Sequence, residues 1–181
     1  MVLVLLRRLK VLKLLGLIGI FITFGLIGIY KTNTLKQRIS LLKDYYKMVL
    51  VLKTQINYFK DPLPDIFNNI AKNNDSKAFD LLDEIRHNID EKGDNLAILW
   101  IIKVEEIYKR TPITKEDIDV ISYLGNFIGQ TDYLNQIQHF EYIERQLNLQ
   151  INEAIDNYNQ KGPMYNKLGF FIGAIIAILL I

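Results

Sequence analysis

TLKQRISLLKDYYKMVLVLKTQINYF, residues 34 to 59, places apolar side chains at Leu35, Ile39, Leu42, Tyr46, Val49, Leu52, Ile56 and Phe59. The steps are three or four and mostly alternate, the signature of one buried face on a long helix. Pro62 and Pro64 follow and end it. Outward from this segment the pattern repeats. Asp61 caps a second helix with Pro62 at its first position, burying Leu63, Ile66, Phe67 and Ile70. Asn73 to Ser76 form a loop ending in a cap. A third helix carries Phe79, Leu82, Ile85 and Ile89 and stops at Gly93. A fourth carries Leu96, Leu99, Trp100, Val104 and Ile107 and stops before Thr111-Pro112. Thr114 to Asp117 reads as a capping box with Asp in the usual Glu position. The fifth helix carries Ile118, Ile121, Leu124 and Phe127, with Gly129 as its left-handed cap. The sixth starts at Thr131 or Asp132 and runs to about Gln160 on Tyr133, Ile137, Phe140, Leu147, Ile151, Ala154 and Tyr158, until Gly162-Pro163 breaks it. No segment alternates with period two, so the fold expected is all-α, a six-helix bundle.

Apolar runs flank this polar block, residues 31–167. Leu14 to Tyr30, LLGLIGIFITFGLIGIY, spans about 26 Å as a helix, close to the roughly 30 Å hydrocarbon core of a bilayer. Lys13 and Lys31 stand at its ends, placed to snorkel. The alternative is a cleaved secretory signal, but KTNTLKQ follows Tyr30 with no small-x-small cleavage site. Residues 168–181 hold no charge, amide or hydroxyl and span about 21 Å, a marginal crossing. In that tail Gly169, Gly173 and Ala177 recur every fourth residue, a face that lets another helix approach closely. Its partner is either the first apolar run, with Gly16, Gly19, Gly25 and Gly28, or another subunit. The organisation expected is a basic extension (1–13), a transmembrane helix (14–30), a soluble helical block (31–167) and a C-terminal transmembrane segment (168–181).

The chain has 181 residues, no Cys and two His, His87 and His139, which removes thiolate chemistry and leaves little for zinc or general-base work. The net charge is +2, with the excess at the N-terminal end; the middle block is slightly acidic, unlike a nucleic-acid binder. GxxxxGK[ST], GxGxxG, GxSxG and HExxH are all missing. No catalytic, cofactor or metal site is expected. The acidic groups Asp80, Asp83 and Glu84, then Glu105 and Glu106, then Glu116, Asp117 and Asp119 fall on amphipathic helices and read as solvated faces. The two histidines read as surface residues and Trp100 as core. Lys161 and Lys167 precede the second apolar run and no cation follows it, which favours a cytoplasmic middle block; the first run is nearly balanced.

With these segments in view, the chain resembles the stage III sporulation protein AB family of endospore-forming Firmicutes. The likeness rests on VLKLLG (residues 11–16), DPLPDIFNNIA (61–71), LGNFIGQTDYLNQIQ (124–138) and the ending KGPMYNKLGFFIGAIIAILLI (161–181). It runs from residue 11 to 181, with 72–110 matching in pattern only. The resemblance implies a subunit of the assembly joining mother cell and forespore, similar to the inner-membrane platform proteins of type II secretion and type IV pilus systems. A secretion-type ATPase, other channel subunits and copies of itself would be its partners, its place the outer forespore membrane, and its middle block cytoplasmic. Pro62 and Leu63 match the family's turn after the first long helix; Gly129, Asp132 and Gln136 match the segment opening the last. Asp132 and Gln136 share a helix face, suited to capping and packing or to a partner. Family members begin near Val11, so residues 1–10 are expected to be an extension or the product of an upstream start. From a different class, the alternative function is a stand-alone membrane sensor or envelope structural protein.

Overall fold

The computed structural model describes the chain apart from residues 1, 60–62, 73–75, 93–94, 129–132 and 181. Among the described residues there are six α-helices and no strand: α1 (Val2–Phe59), α2 (Leu63–Lys72), α3 (Lys77–Lys92), α4 (Leu96–Tyr108), α5 (Lys115–Tyr123) and α6 (Tyr133–Leu179), with a 3-10 turn at Leu124–Asn126 after α5. The all-α expectation holds. The chain divides into two compact units, one of residues 1–36 and 156–181, the other of residues 37–155. Each of α1 and α6 contributes to both.

The 37–155 unit is built by burying one stripe from each helix. From α1 come Leu42, Tyr45, Met48, Val49 and Leu52; from α2 Ile66, Phe67 and Ile70; from α3 Phe79, Leu82 and Ile85. Trp100 of α4, Ile121 of α5 and Phe140, Ile143 and Leu147 of α6 complete the same core. The buried stripe of α1 is wider than the single face read from the sequence: Leu41, Tyr45 and Met48 are buried, while Tyr46 is only half-buried. A helix with neighbours on both sides hides more than one row of side chains.

Local chemistry sets the helix ends. Asn95 caps α4, its side chain accepting from the Ala97 N–H at 2.9 Å. The Thr114–Asp117 capping box is present in both directions: the Asp117 N–H donates to the Thr114 hydroxyl at 3.3 Å and the Thr114 N–H to the Asp117 carboxylate at 2.8 Å. The helix expected to carry Leu124 and Phe127 ends earlier, at Tyr123, and tightens into the 3-10 turn. The turn brings the Gly125 backbone against Trp100; a Cβ there would lie 2.7 Å from the indole. The buried indole in turn donates its Nε1–H to the Ile121 carbonyl at 2.9 Å. The capping expected before α3 takes a different form. The Ser76 carbonyl accepts from the Phe79 and Asp80 N–H groups, and the Ser76 hydroxyl is buried without a partner.

Pro163 was expected to break the last helix, and it does not: α6 runs through it. Proline removes one N–H and so one helical bond. That loss is tolerated when neighbouring helices hold the segment in place, as Thr32 does by bonding the Gly162 carbonyl at 3.0 Å. The expected Asp61–Pro62 cap and the stops at Gly93 and Gly129 fall outside the described residues.

Tyr45 is a polar fault in this core. Its ring is fully buried and its hydroxyl has no hydrogen-bond partner. Burial, reinforced by Asp80 and Glu84, pushes the phenol well above its ordinary value. A raised folded value means that this group's contribution is intact below the unfolded phenol's ionisation near pH 10 and is lost as pH rises past it. Tyr45→Phe keeps the ring and removes the unpaired hydroxyl, whose burial costs about 1–3 kcal/mol. In detergent the full-length variant should melt at or above the wild-type temperature at pH 7. It should also lose less stability than wild type between pH 9 and pH 11, as followed by circular dichroism.

Candidate functional site

In the 37–155 unit, the acidic cluster on α5 is not one solvated face. Glu116 and Asp119 are exposed, but Asp117 is 0% exposed and Arg38 of α1 6%. Their side chains form a two-pronged pair, Nε to Oδ2 at 2.8 Å and Nη2 to Oδ1 at 2.9 Å. Arg38 also reaches α6, donating to the Gln150 side-chain oxygen at 3.3 Å and lying 3.7 Å from Glu153. The hydrogen bonds it donates to Asp117 hold the guanidinium above its ordinary value against the opposing effect of burial. Because Asp117 Oδ2 also accepts the Thr114 N–H, one carboxylate closes the N-terminus of α5 and fixes α1 beside it. Glu116 is held below the usual carboxylate range, chiefly by its backbone N–H and then by the Thr114 hydroxyl. The sequence carried no local signal for the pair, since its members lie 79 residues apart.

His139 departs from the surface reading too. It is half-buried, its Nδ1 lies 2.9 Å from the Tyr123 hydroxyl, and its ring stacks on Phe127 with centroids 4.7 Å apart. His87 is exposed beside Arg86 and Asp83. Among the described residues no cluster of His, Cys, Asp or Glu is arranged to hold a metal ion.

The family-matched positions distribute unevenly. Leu63, at the start of α2, packs against the core and Gln136 is buried on α6. Pro62, Gly129 and Asp132 lie outside the described residues. On α4 the opposite situation holds: Ile98, Ile101 and Ile102 stand exposed on one surface.

The other unit contains the portions of α1 and α6 that are long and apolar enough to cross a membrane. They touch backbone to backbone. A Cβ on Gly169 would lie 2.6 Å from the Phe24 carbonyl oxygen, and one on Gly28 would lie 2.5 Å from the Tyr165 carbonyl oxygen. Gly173 faces the Phe21 backbone and Gly25 the Phe170 ring. Gly16 and Gly19 have open space around them, and Ala177 is half-buried. At the Thr32 level a polar clasp closes the contact. The buried Thr32 hydroxyl lies 3.1 Å from the Gly28 carbonyl, 3.0 Å from the Gly162 carbonyl and 2.9 Å from Asn166 Oδ1. Its single proton serves one acceptor at a time. Lys36 sits over the Tyr158 ring at 5.5 Å, a cation–π contact.

Asp117→Ala should lower the stability of the full chain by about 3–5 kcal/mol in chemical denaturation, because it leaves a buried guanidinium unpaired. Replacing both partners, Arg38→Met with Asp117→Leu, should recover all but the roughly 1 kcal/mol of the lost cap. Gly169→Leu should lower the melting temperature in detergent, whereas Gly16→Leu, which meets nothing, should leave it unchanged.

Comparison with known proteins agrees with this architecture. The family model described as Stage III sporulation protein AB matches residues 13–181. Stage III sporulation protein AB of Bacillus subtilis (strain 168) is 21% identical over 169 residues, covering 93% of this chain and 99% of its own. A solved structure of a stage III sporulation protein AB matches with a TM-score of 0.62 at 18% identity, covering 67% of this chain and 96% of the other, a likeness of fold.

Proposed function

The chain belongs to the stage III sporulation protein AB family, and from that premise we propose that it is a non-enzymatic membrane platform subunit. It holds a helical domain in the cytoplasm of the mother cell, at the outer forespore membrane. There it couples a secretion-type ATPase to the assembly that joins mother cell and forespore. The observation that carries this reading is the family match over nearly the whole chain together with two helices able to cross a membrane. The domain of residues 37–155 lies between the two membrane-capable segments in sequence. Work delivered to it therefore reaches the membrane through the chains of α1 and α6, and the Arg38–Asp117 pair keeps those helices tied to α5 under load. Copies of the chain and other channel subunits surround it in the membrane.

The exposed aliphatic face of α4 supports a partner contact. Exposed isoleucines spaced along one helix suit burial in a protein interface, where a few central residues usually carry most of the energy.

Full-length protein in detergent, mixed with the secretion-type ATPase of the same organism, should co-elute with it on size exclusion. Ile98→Asp combined with Ile102→Asp should weaken that binding by at least about tenfold. Failure of the wild-type chain to bind, together with normal spore formation in cells lacking it, would favour a stand-alone membrane sensor or envelope structural protein instead.

A further inference from the structure

A cavity of about 400 Å³ in the 37–155 unit is lined by Gln37, Ser40, Leu41 and Asp44 of α1, by Ser76 at the entrance to α3, and by Thr111 and Pro112 after α4. Gln37 and Ser40 are exposed, so it opens at the surface. Its polar groups are not consumed by the fold. Asp44 is half-buried and makes no hydrogen bond or ion pair. Burial lifts its carboxyl above the ordinary value, opposed only by Lys47, whose ammonium lies over the Phe79 ring at 5.6 Å. The Ser76 hydroxyl is buried and unpartnered. The Thr111 hydroxyl donates to the Ile107 carbonyl at 2.8 Å, leaving its oxygen lone pairs free to accept. Among the described residues that line the cavity, Asp44 is the one ionisable group.

We propose that this cavity seats a basic side chain, arginine or lysine, presented by a partner protein. Charge complementarity selects the occupant. A partly desolvated carboxylate without a donor is costly, and a guanidinium or ammonium restores the hydrogen bonds that burial removed. An arginine fork meets Asp44 with two N–H groups and has others to spare for the hydroxyl oxygens of Ser76 and Thr111 and the Gln37 amide. Among the described lining residues the charge is that of the Asp44 carboxylate, which suits a cationic side chain. This inference stands apart from the ATPase reading, because it concerns the chemistry of the pocket and not the identity of the partner.

The test uses the full-length chain in micelles with three small probes: Nα-acetyl-arginine amide, its uncharged isostere Nα-acetyl-citrulline amide, and spermidine. Binding is read by saturation-transfer NMR titration. The arginine probe should bind, the citrulline probe should not, and Asp44→Asn should weaken arginine binding by at least about tenfold, the loss expected for a charge-assisted hydrogen bond. Glu105→Gln, an exposed carboxylate elsewhere, should leave binding unchanged. Equal binding of citrulline, undiminished binding by Asp44→Asn, or no arginine signal at all would overturn the proposal. Spermidine binding at least tenfold tighter than the arginine probe would make the occupant a free polyamine and would equally overturn the assignment to a partner's side chain.

Discussion

One buried ion pair ties three helices of the domain of residues 37–155 together. Taking a guanidinium and a carboxylate out of water costs several kcal/mol per ion, and the attraction between them offsets this only when the geometry is good and the remaining donors and acceptors are satisfied. Arg38 and Asp117 meet that condition through two parallel bonds, with Gln150 accepting a further guanidinium N–H, Glu153 at 3.7 Å adding charge, and the Thr114 N–H donating to an Asp117 oxygen. Apolar burial alone would let α1, α5 and α6 slide along one another, since Leu, Ile and Phe pack in many registers. A carboxylate that must meet both a capping N–H and a guanidinium admits very few. The geometry of the pair is satisfied in one arrangement of these three helices, the one observed.

What was legible in the sequence was local. The Thr114–Asp117 box could be read from four consecutive residues because capping is a short-range interaction. Trp100 could be placed in the core because its neighbours on α4 share its helical period. Asp117 was misread for the same reason. Its near neighbours Glu116 and Asp119 are exposed, and only a residue 79 positions away reveals that Asp117 itself is buried. His139 was missed in a similar way: its polar sequence neighbours describe the outside of α6, while Tyr123 and Phe127, contributed by a different segment, cover the ring.

Pro163 exposes the limits of a rule taken from soluble helices. Proline is a reliable stop when water competes for the carbonyl that it strands. Where two apolar helices pack backbone to backbone, leaving the helix would strand more groups than staying in it, and one missing bond is the smaller loss. Glycine followed by proline therefore reads as a break in one setting and as an ordinary stretch of helix in the other. Residues 161–167 contain no pattern that says which setting applies; the nearby Thr32, Gly28 and Gly169 contacts do.

The two units solve the same problem of helix association with different physics, and the choice follows from the solvent each meets. In water, burying Trp100, Phe67 and Phe140 supplies the attraction, and the ion pair supplies the selectivity. In a bilayer, lipid tails are as apolar as the helices, so burying leucine against leucine gains little. Attraction there must come from close dispersion contact and from hydrogen bonds that lipid cannot offer. Gly28 and Gly169 provide the first by removing the side chains that would hold the backbones apart. Thr32, Gly162 and Asn166 provide the second. Glycines that would weaken a soluble helix by about 1 kcal/mol each are thus the residues on which the association of these two helices rests.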